Sequence, residues 1–164
     1  MTIRTPPQTL VTVDDYLEGE QATEVKHEYL AGQVVAMGGA SDKHGLIAGA
    51  LYAALLPAAR RKACQLFSAE MKVRVDHDGE SYFYYPDLLL SCQPDDKESA
   101  YYRRHPCLLV EVLSPSTERI DPREKLFAGE YKKCLPLCCI PTTAGTGSEV
   151  TQYAILMNDV AQPK

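Results

Sequence analysis

The chain is expected to fold as α/β, in the α+β sense of one mixed sheet flanked by helices. Three observations predict this. Two apolar runs of strand character, Tyr85–Leu90 and Leu108–Leu113, each carry a single acid, Asp87 and Glu111. A long stretch from about Asp42 to Cys64 repeats small and apolar residues at helical spacing. The elements alternate as helix, hairpin, long helix, three strands and helix, an order that suits helices layered around a sheet.

Each element has a local cause. Residues 1–10 are rich in Pro and Thr and are expected to be loosely held. Thr12-Val13-Asp14-Asp15 matches a capping box with Asp in place of Glu, so a short helix starts there and is expected to stop at Gly19. Val25–Leu30 and Gln33–Met37, separated by Ala31-Gly32, read as two strands joined by a tight turn. Ser41 caps the long helix, in which Leu46, Ile47, Ala50, Leu51, Ala54, Leu55 and Ala58 form the apolar face and Pro57 marks a kink. Gln65–Val75 reads as one strand with a bulge near Ser68, and Asp76-His77-Asp78-Gly79 as a hairpin turn. Ser81–Leu90 is a long or bent strand, Gln93–Ser99 a polar loop and Cys107–Leu113 a buried strand. Asp121-Pro122 is an N-cap with proline at the first helical position, which predicts a helix over 122–133.

Composition narrows the class. With 164 residues and 45% hydrophobic content, the chain can bury the core of one domain. It has no run of 18 apolar residues and no signal-peptide pattern, so no membrane span and a cytoplasmic location are expected. Its six cysteines form no Cys-x-x-Cys pair and several sit in apolar strings, which predicts reduced thiols in the core. A formal net charge of −5 argues against a strong non-specific nucleic-acid binder, but it leaves room for a nuclease whose acids surround a metal.

The chemistry rests on Glu28, Asp87, Glu111 and Lys125 taken together. A lone acid in a buried strand is costly unless it is paired or holds a cation. Two such strands side by side bring Asp87 and Glu111 to one point, where carboxylates can hold Mg²⁺ or Mn²⁺. The alternative for each acid alone is a strand end emerging into water. A lysine beside the metal can position the attacking water and offset charge on phosphate oxygens. The usual place for it, two residues after the second acid, holds Leu113. Lys125, near the start of the following helix, is the candidate instead; its plain alternative is an exposed helix lysine paired with Asp121. Lys72 is the weaker substitute. His44, Lys72 and Arg74 are the candidate substrate contacts, set against a structural histidine and a solvated basic face.

Several segments carry a family resemblance: Glu24–Gly32, Phe67–Val75, Tyr84-Tyr85-Pro86-Asp87 and Leu109–Thr117 with its Glu-Val-Leu-Ser-Pro-Ser-Thr run. Over about residues 10–133 the chain resembles the Uma-two family of endonucleases with a restriction-endonuclease-like fold. The resemblance implies metal-dependent DNA cleavage. It also implies that the catalytic lysine has moved to the helix after the Ser-Pro-Ser-Thr break, which falls on Lys125. Glu28, His44, Asp87 and Glu111 fall on matching positions. Asp87 and Glu111 are then the metal ligands, Lys125 orients water, and Glu28 assists as a further ligand or base. Analogy with nucleases of this type adds a homodimer as an assembly to test.

The tail departs from that family. Leu135–Thr151, with Pro-Thr-Thr-Ala-Gly-Thr-Gly-Ser-Glu, resembles the cofactor loop of iron-dependent alcohol dehydrogenases. The chain thus reads as residues 1–134, a nuclease domain, joined to 135–164, a foreign tail that is not a domain. Leu137–Ile140 or Gln152–Met157 would fill the place of the sheet's last strand; otherwise that edge is exposed. Two further readings follow: a catalytically inactive DNA-binding remnant, motivated by Leu113 and the tail, and an NAD-binding dehydrogenase fragment. The latter lacks an upstream nucleotide-binding fold.

Overall fold

A computed structural model describes residues 10–97, 99–113 and 137–141. The helix expected over 122–133, Lys125, and the segments 142–148 and 152–157 lie outside the described residues. The chain divides into two compact units, Met1–Gly39 with Arg74–Tyr84, and Ala40–Val73 with Tyr85–Lys164.

In the first unit, helix α1 (Val13–Ala22) starts as the capping pattern dictates: Thr12 is extended and its Oγ1 accepts the Asp15 amide at 3.2 Å. The helix runs past Gly19, where it was expected to stop. A helical glycine costs only about 1 kcal/mol relative to alanine, and tertiary contacts offset this. Glu20, in the last turn, accepts the His27 amide at 2.8 Å and contacts its ring Nδ1 at 3.2 Å. Strands β1 (His27–Leu30) and β2 (Gln33–Ala36) form the expected hairpin, closed by Ala31 and Gly32 at φ of 50° and 93°. Two residues of positive φ make the primed turn that matches strand twist. The turn at Asp78-Gly79 is of the same kind, with φ of 49° and 81°, and joins β4 (Lys72–His77) to β5 (Glu80–Tyr84). β5 lies between β1 and β4. Tyr16, Tyr29 and Phe83 form the aromatic centre, with ring centroids 5.1–5.9 Å apart. The buried Tyr16 hydroxyl donates to the His27 carbonyl at 2.6 Å.

In the second unit, α2 (Asp42–Arg61) is capped by Ser41, as expected, and contains Pro57. Its inward face is rotated from the expected one. Ile47, Leu51, Leu55 and Ala58 of the expected face are half-buried, joined by His44, Ala48, Tyr52, Leu56 and the buried Ala59, whereas Leu46, 74% exposed, Ala50 and Ala54 face out. With alanine on most sides of the helix, hydrophobic spacing alone fits either face; what settles it is the larger residues that meet the sheet. The segment read as one bulged strand is two: β3 (Gln65–Ser68), then a break at Ala69-Glu70-Met71, then β4. Ser81–Leu90 is likewise two strands, β5 and β6 (Leu88–Ser91), separated at Tyr85-Pro86-Asp87. In both places the chain leaves one ladder and joins another, which a single period of alternation cannot signal.

The sheet of this unit has the order β3-β6-β8-β9, where β8 is Leu108–Leu113 and β9 is Leu137–Pro141. β3, β6 and β8 are antiparallel neighbours, and β9 runs parallel to β8 with Val110 opposite Cys138. The tail string Leu137–Ile140 therefore does occupy a strand position beside β8. A short strand β7 (Tyr102–Arg103), not expected from sequence, pairs in parallel with Lys72 and Val73. Leu88, Leu89 and Leu109 are each 1% exposed and form the core of the sheet. The cysteine expectation is corrected in one respect: Cys64 and Cys92 form a disulfide, while Cys107 is a free thiol. Sequence spacing showed no pair because the partners, 28 residues apart, meet only when the end of α2 is placed beside the end of β6.

Two outcomes are expected. Closing a loop of this length by a disulfide is worth about 3–4 kcal/mol in the chain-entropy model, so Cys92→Ser, or reduction, lowers the urea midpoint accordingly. Burial first, then the charges of Glu20 and Glu28, raise the Tyr16 phenol above its ordinary value of 10.0. The folded state therefore favours the un-ionised phenol: its contribution is complete below about pH 10 and is lost as pH rises beyond. Tyr16→Phe costs about 1–2 kcal/mol at neutral pH and removes this alkaline loss, as urea titrations at pH 7 and above 10 would read.

Candidate active site

The site is built where β6 begins. Tyr85 and Pro86 are buried, and Pro86 has no amide to offer a ladder, so the strand cannot start before it. Asp87 follows, its carbonyl accepting the Ala69 amide at 3.0 Å. Its carboxylate is held from two sides. Oδ2 accepts the Val112 backbone N–H of β8 at 2.6 Å. Oδ1 lies 2.7 Å from Nε2 of His44. The two side chains are only 16% and 17% exposed, so neither group is satisfied by bulk water alone.

His44 reaches that point because of the cap. Ser41 Oγ accepts the His44 amide at 3.3 Å, which sets the third residue of α2 and its side-chain direction. The helix then lies against β3, β6 and β8. A histidine in the first helical turn was read as a substrate contact; its position against a carboxylate came from packing and not from spacing.

Glu111 is placed by the ladder. β6 and β8 pair Leu88 with Val110 and Leu89 with Leu109. The pairing ends at Leu88 and Val110; Asp87 comes just before it and Glu111 just after it on β8. Glu111 is half-buried. The two acids singled out from sequence therefore lie at the same end of the β6–β8 pair. Asp87 and Glu111 offer carboxylate oxygens and His44 an imidazole nitrogen, a donor chemistry that fits Mg²⁺ or Mn²⁺. Among the described residues, no group of three or more His, Cys, Asp or Glu side chains is already gathered to hold a metal ion.

The remaining candidates are distributed. Lys72 opens β4 and is 5% exposed, with Nζ 4.9 Å from the centre of the Tyr85 ring. Glu28, on β1, and Arg74 belong to the first unit. Glu28 is 8% exposed. Arg74 Nε donates to both oxygens of Asp76, and its guanidinium covers Phe83. Lys125 lies outside the described residues. Two buried polar residues carried no sequence signal. Asp96, in the loop read as simply polar, accepts the amides of Arg104 and His105 and the hydroxyl of Ser91. Arg103, read as part of a solvated basic pair, donates to the Ser99 carbonyl and to Gln65 and stacks on Phe67. Both hold the segment around β7 to the sheet. A basic pair of which one member is buried could be suspected only from the aromatic residues around it.

The chain matches the profile of the Uma2 family, described as "Putative restriction endonuclease", over residues 13–132. A second profile, iron-containing alcohol dehydrogenase, matches residues 110–164. Among curated proteins, the "Uncharacterized protein slr1290" of Synechocystis sp. is 34% identical over 115 residues, which cover 70% of this chain and 60% of that protein. The "Uncharacterized protein sll1609" of the same organism is 27% identical over 119 residues, covering 71% of this chain and 66% of that one. The chain thus spans somewhat under two thirds of the length of these relatives. A crystal structure described as "a putative nuclease belonging to DUF820" from Anabaena variabilis superposes with a TM-score of 0.60 at 16% identity, covering 80% of this chain and 74% of that one. At that identity the likeness shows the fold, a mixed α/β arrangement of the restriction-endonuclease-like kind. Among the described residues, no helix is long and apolar enough to cross a membrane.

The cap that aims His44 has a measurable worth. Ser41→Ala is expected to cost about 1 kcal/mol and Ser41→Asp to retain most of it, read as shifts in the urea midpoint.

Proposed function

We propose, from the premise that the chain belongs to the Uma2 family of restriction-endonuclease-like proteins, that it is a divalent-metal-dependent endonuclease that hydrolyses DNA phosphodiester bonds. What supports this reading is Asp87, fixed by the Val112 amide just before β6, at the end of the β6–β8 pair where β8 carries Glu111. Asp87 and Glu111 would hold the cation. Once bound, a divalent ion polarises a phosphate oxygen and makes a coordinated water more acidic. The protein's own groups do the rest. Val112 keeps the Asp87 carboxylate from turning. Lys125 orients the attacking water and offsets charge on the phosphate. Glu28 assists as a further ligand or base, and Lys72 and Arg74, with His44 in the sequence reading, supply substrate contacts. DNA is the substrate and Mg²⁺ or Mn²⁺ the cofactor in this reading, with the cytoplasm as location and a homodimer as the assembly to test.

Leu113 favours a second reading, an inactive DNA-binding remnant, because a lysine two residues after Glu111 would complete the usual motif. A plasmid-nicking assay separates the two. Wild-type protein is expected to nick supercoiled DNA with Mg²⁺ or Mn²⁺ and to stop with chelator. Asp87→Asn, Glu111→Gln and Lys125→Ala are each expected to lower the rate by about 100-fold or more; Asp87→Asn also lowers the melting midpoint, because it weakens the bonds to Val112 and His44, whereas Glu111→Gln and Lys125→Ala leave the melting curve unchanged. Cleavage retained in all three, with contaminating nuclease excluded, overturns the proposal. Salt-dependent DNA binding without cleavage in any metal supports the remnant.

A further inference from the structure

We propose that His44 is a nitrogen ligand of the divalent cation at Asp87, and that it shifts the site's preference from Mg²⁺ towards first-row transition ions such as Mn²⁺. The inference rests on the metal-dependent reading given above and changes the role of His44 from substrate contact to ligand. Three observations carry it.

The first is separation. Nε2 of His44 and Oδ1 of Asp87 are 2.7 Å apart. Neighbouring corners of an octahedral shell with metal–ligand bonds of 2.0–2.1 Å are about 3 Å apart. The two donors need to part by only a few tenths of an ångström to share one ion. Metal binding at Nε2 requires the neutral ring with its hydrogen on Nδ1, which leaves the Nε2 lone pair for the ion.

The second is fixation. Asp87 cannot swing away, because its other oxygen holds the Val112 amide at 2.6 Å. His44 cannot drift, because Ser41 sets the helix start and α2 packs on the strands that carry both acids. Donors held this firmly lose little freedom when an ion arrives. The residual exposure of both side chains leaves a route for a hydrated ion.

The third is charge. A phosphate contact is a poor use of this imidazole. Its Nε2 already faces the Asp87 carboxylate, and β8 carries Glu111 at the same end of the β6–β8 pair, so a phosphate approaching that nitrogen would meet negative charge. A cation meets attraction from both. Carboxylates serve Mg²⁺ and Mn²⁺ alike, whereas an imidazole nitrogen favours transition ions.

The test is Mn²⁺ binding by the full-length protein, stripped of metal with chelator and followed by electron paramagnetic resonance. Wild type is expected to bind one Mn²⁺ tightly and to show ¹⁴N coupling of the imidazole type in pulsed spectra. His44→Ala is expected to lose that coupling and to bind Mn²⁺ about 10–100-fold more weakly, with a smaller loss for Mg²⁺ measured by competition. The three other histidines, His27, His77 and His105, remain in that variant, so coupling that survives in it overturns the inference. So does Mn²⁺ bound through Asp87 with no nitrogen coupling in wild type, an outcome that leaves the metal-dependent reading standing. Wild type that binds no Mn²⁺, or Asp87→Asn that binds it equally well, overturns both. The wild-type spectrum decides even if His44→Ala fails to fold.

Discussion

The second unit depends on one carboxylate being satisfied. Asp87 sits at the start of β6, half-buried, next to a proline that cannot donate a hydrogen bond. An acid in that place needs donors aimed at it, since a charged group removed from water without partners is costly. The donors come from two other elements, the Val112 amide of β8 and the imidazole at the first turn of α2. Hydrogen bonds to an ionised acceptor are roughly twice as strong as neutral ones. One side chain thus ties a strand start, a neighbouring strand and a helix start together. The other end of the same helix is joined covalently to the end of the same strand through Cys64 and Cys92. Between these two ties α2 has little choice of orientation, which is why its inward face follows His44, Ile47 and Leu51 even though Leu46 is left in water.

β8 has neighbours on its two sides that are matched by different family profiles. On one side lies β6, from the region matched by the nuclease family; on the other lies β9, beyond that match and within the stretch matched by the dehydrogenase profile. The physical reason this works is that a strand ladder is made by backbone groups. Any extended, apolar segment of about five residues can offer the needed amides and carbonyls, and Leu137–Pro141 is one. Pairing covers an edge that would otherwise present unpaired groups.

The acids of the candidate site stood out in the sequence. A single acid inside an apolar run conflicts with burial, and that conflict marked Asp87 and Glu111 with no reference to structure. Caps at Thr12 and Ser41, and turns at Ala31-Gly32 and Asp78-Gly79, were legible because each is chosen by local backbone geometry. The partner of Asp87 was not. His44 is 43 residues away in sequence, and nothing in its surroundings indicates a carboxylate. The burial of Asp96 and Arg103 was equally silent, since their hydrogen-bond partners are brought to them only by the fold. The divisions at Ala69–Met71 and Tyr85–Asp87 were missed for a related reason: alternation tells which residues face inward but not which ladder they face in from.

By itself, the sequence determined the first two helix starts, the hairpin turns and most of the strand-forming stretches, and it marked two acids as candidates. These follow from interactions within a few residues of one another, or from the cost of burying charge. Tertiary structure alone decided which strands share a sheet, which face of α2 turns inward, that Cys64 meets Cys92, and that the imidazole of His44 faces Asp87. Those outcomes depend on contacts between segments far apart in the chain. Their energy exists only once the whole ladder is formed, so no local pattern carries it.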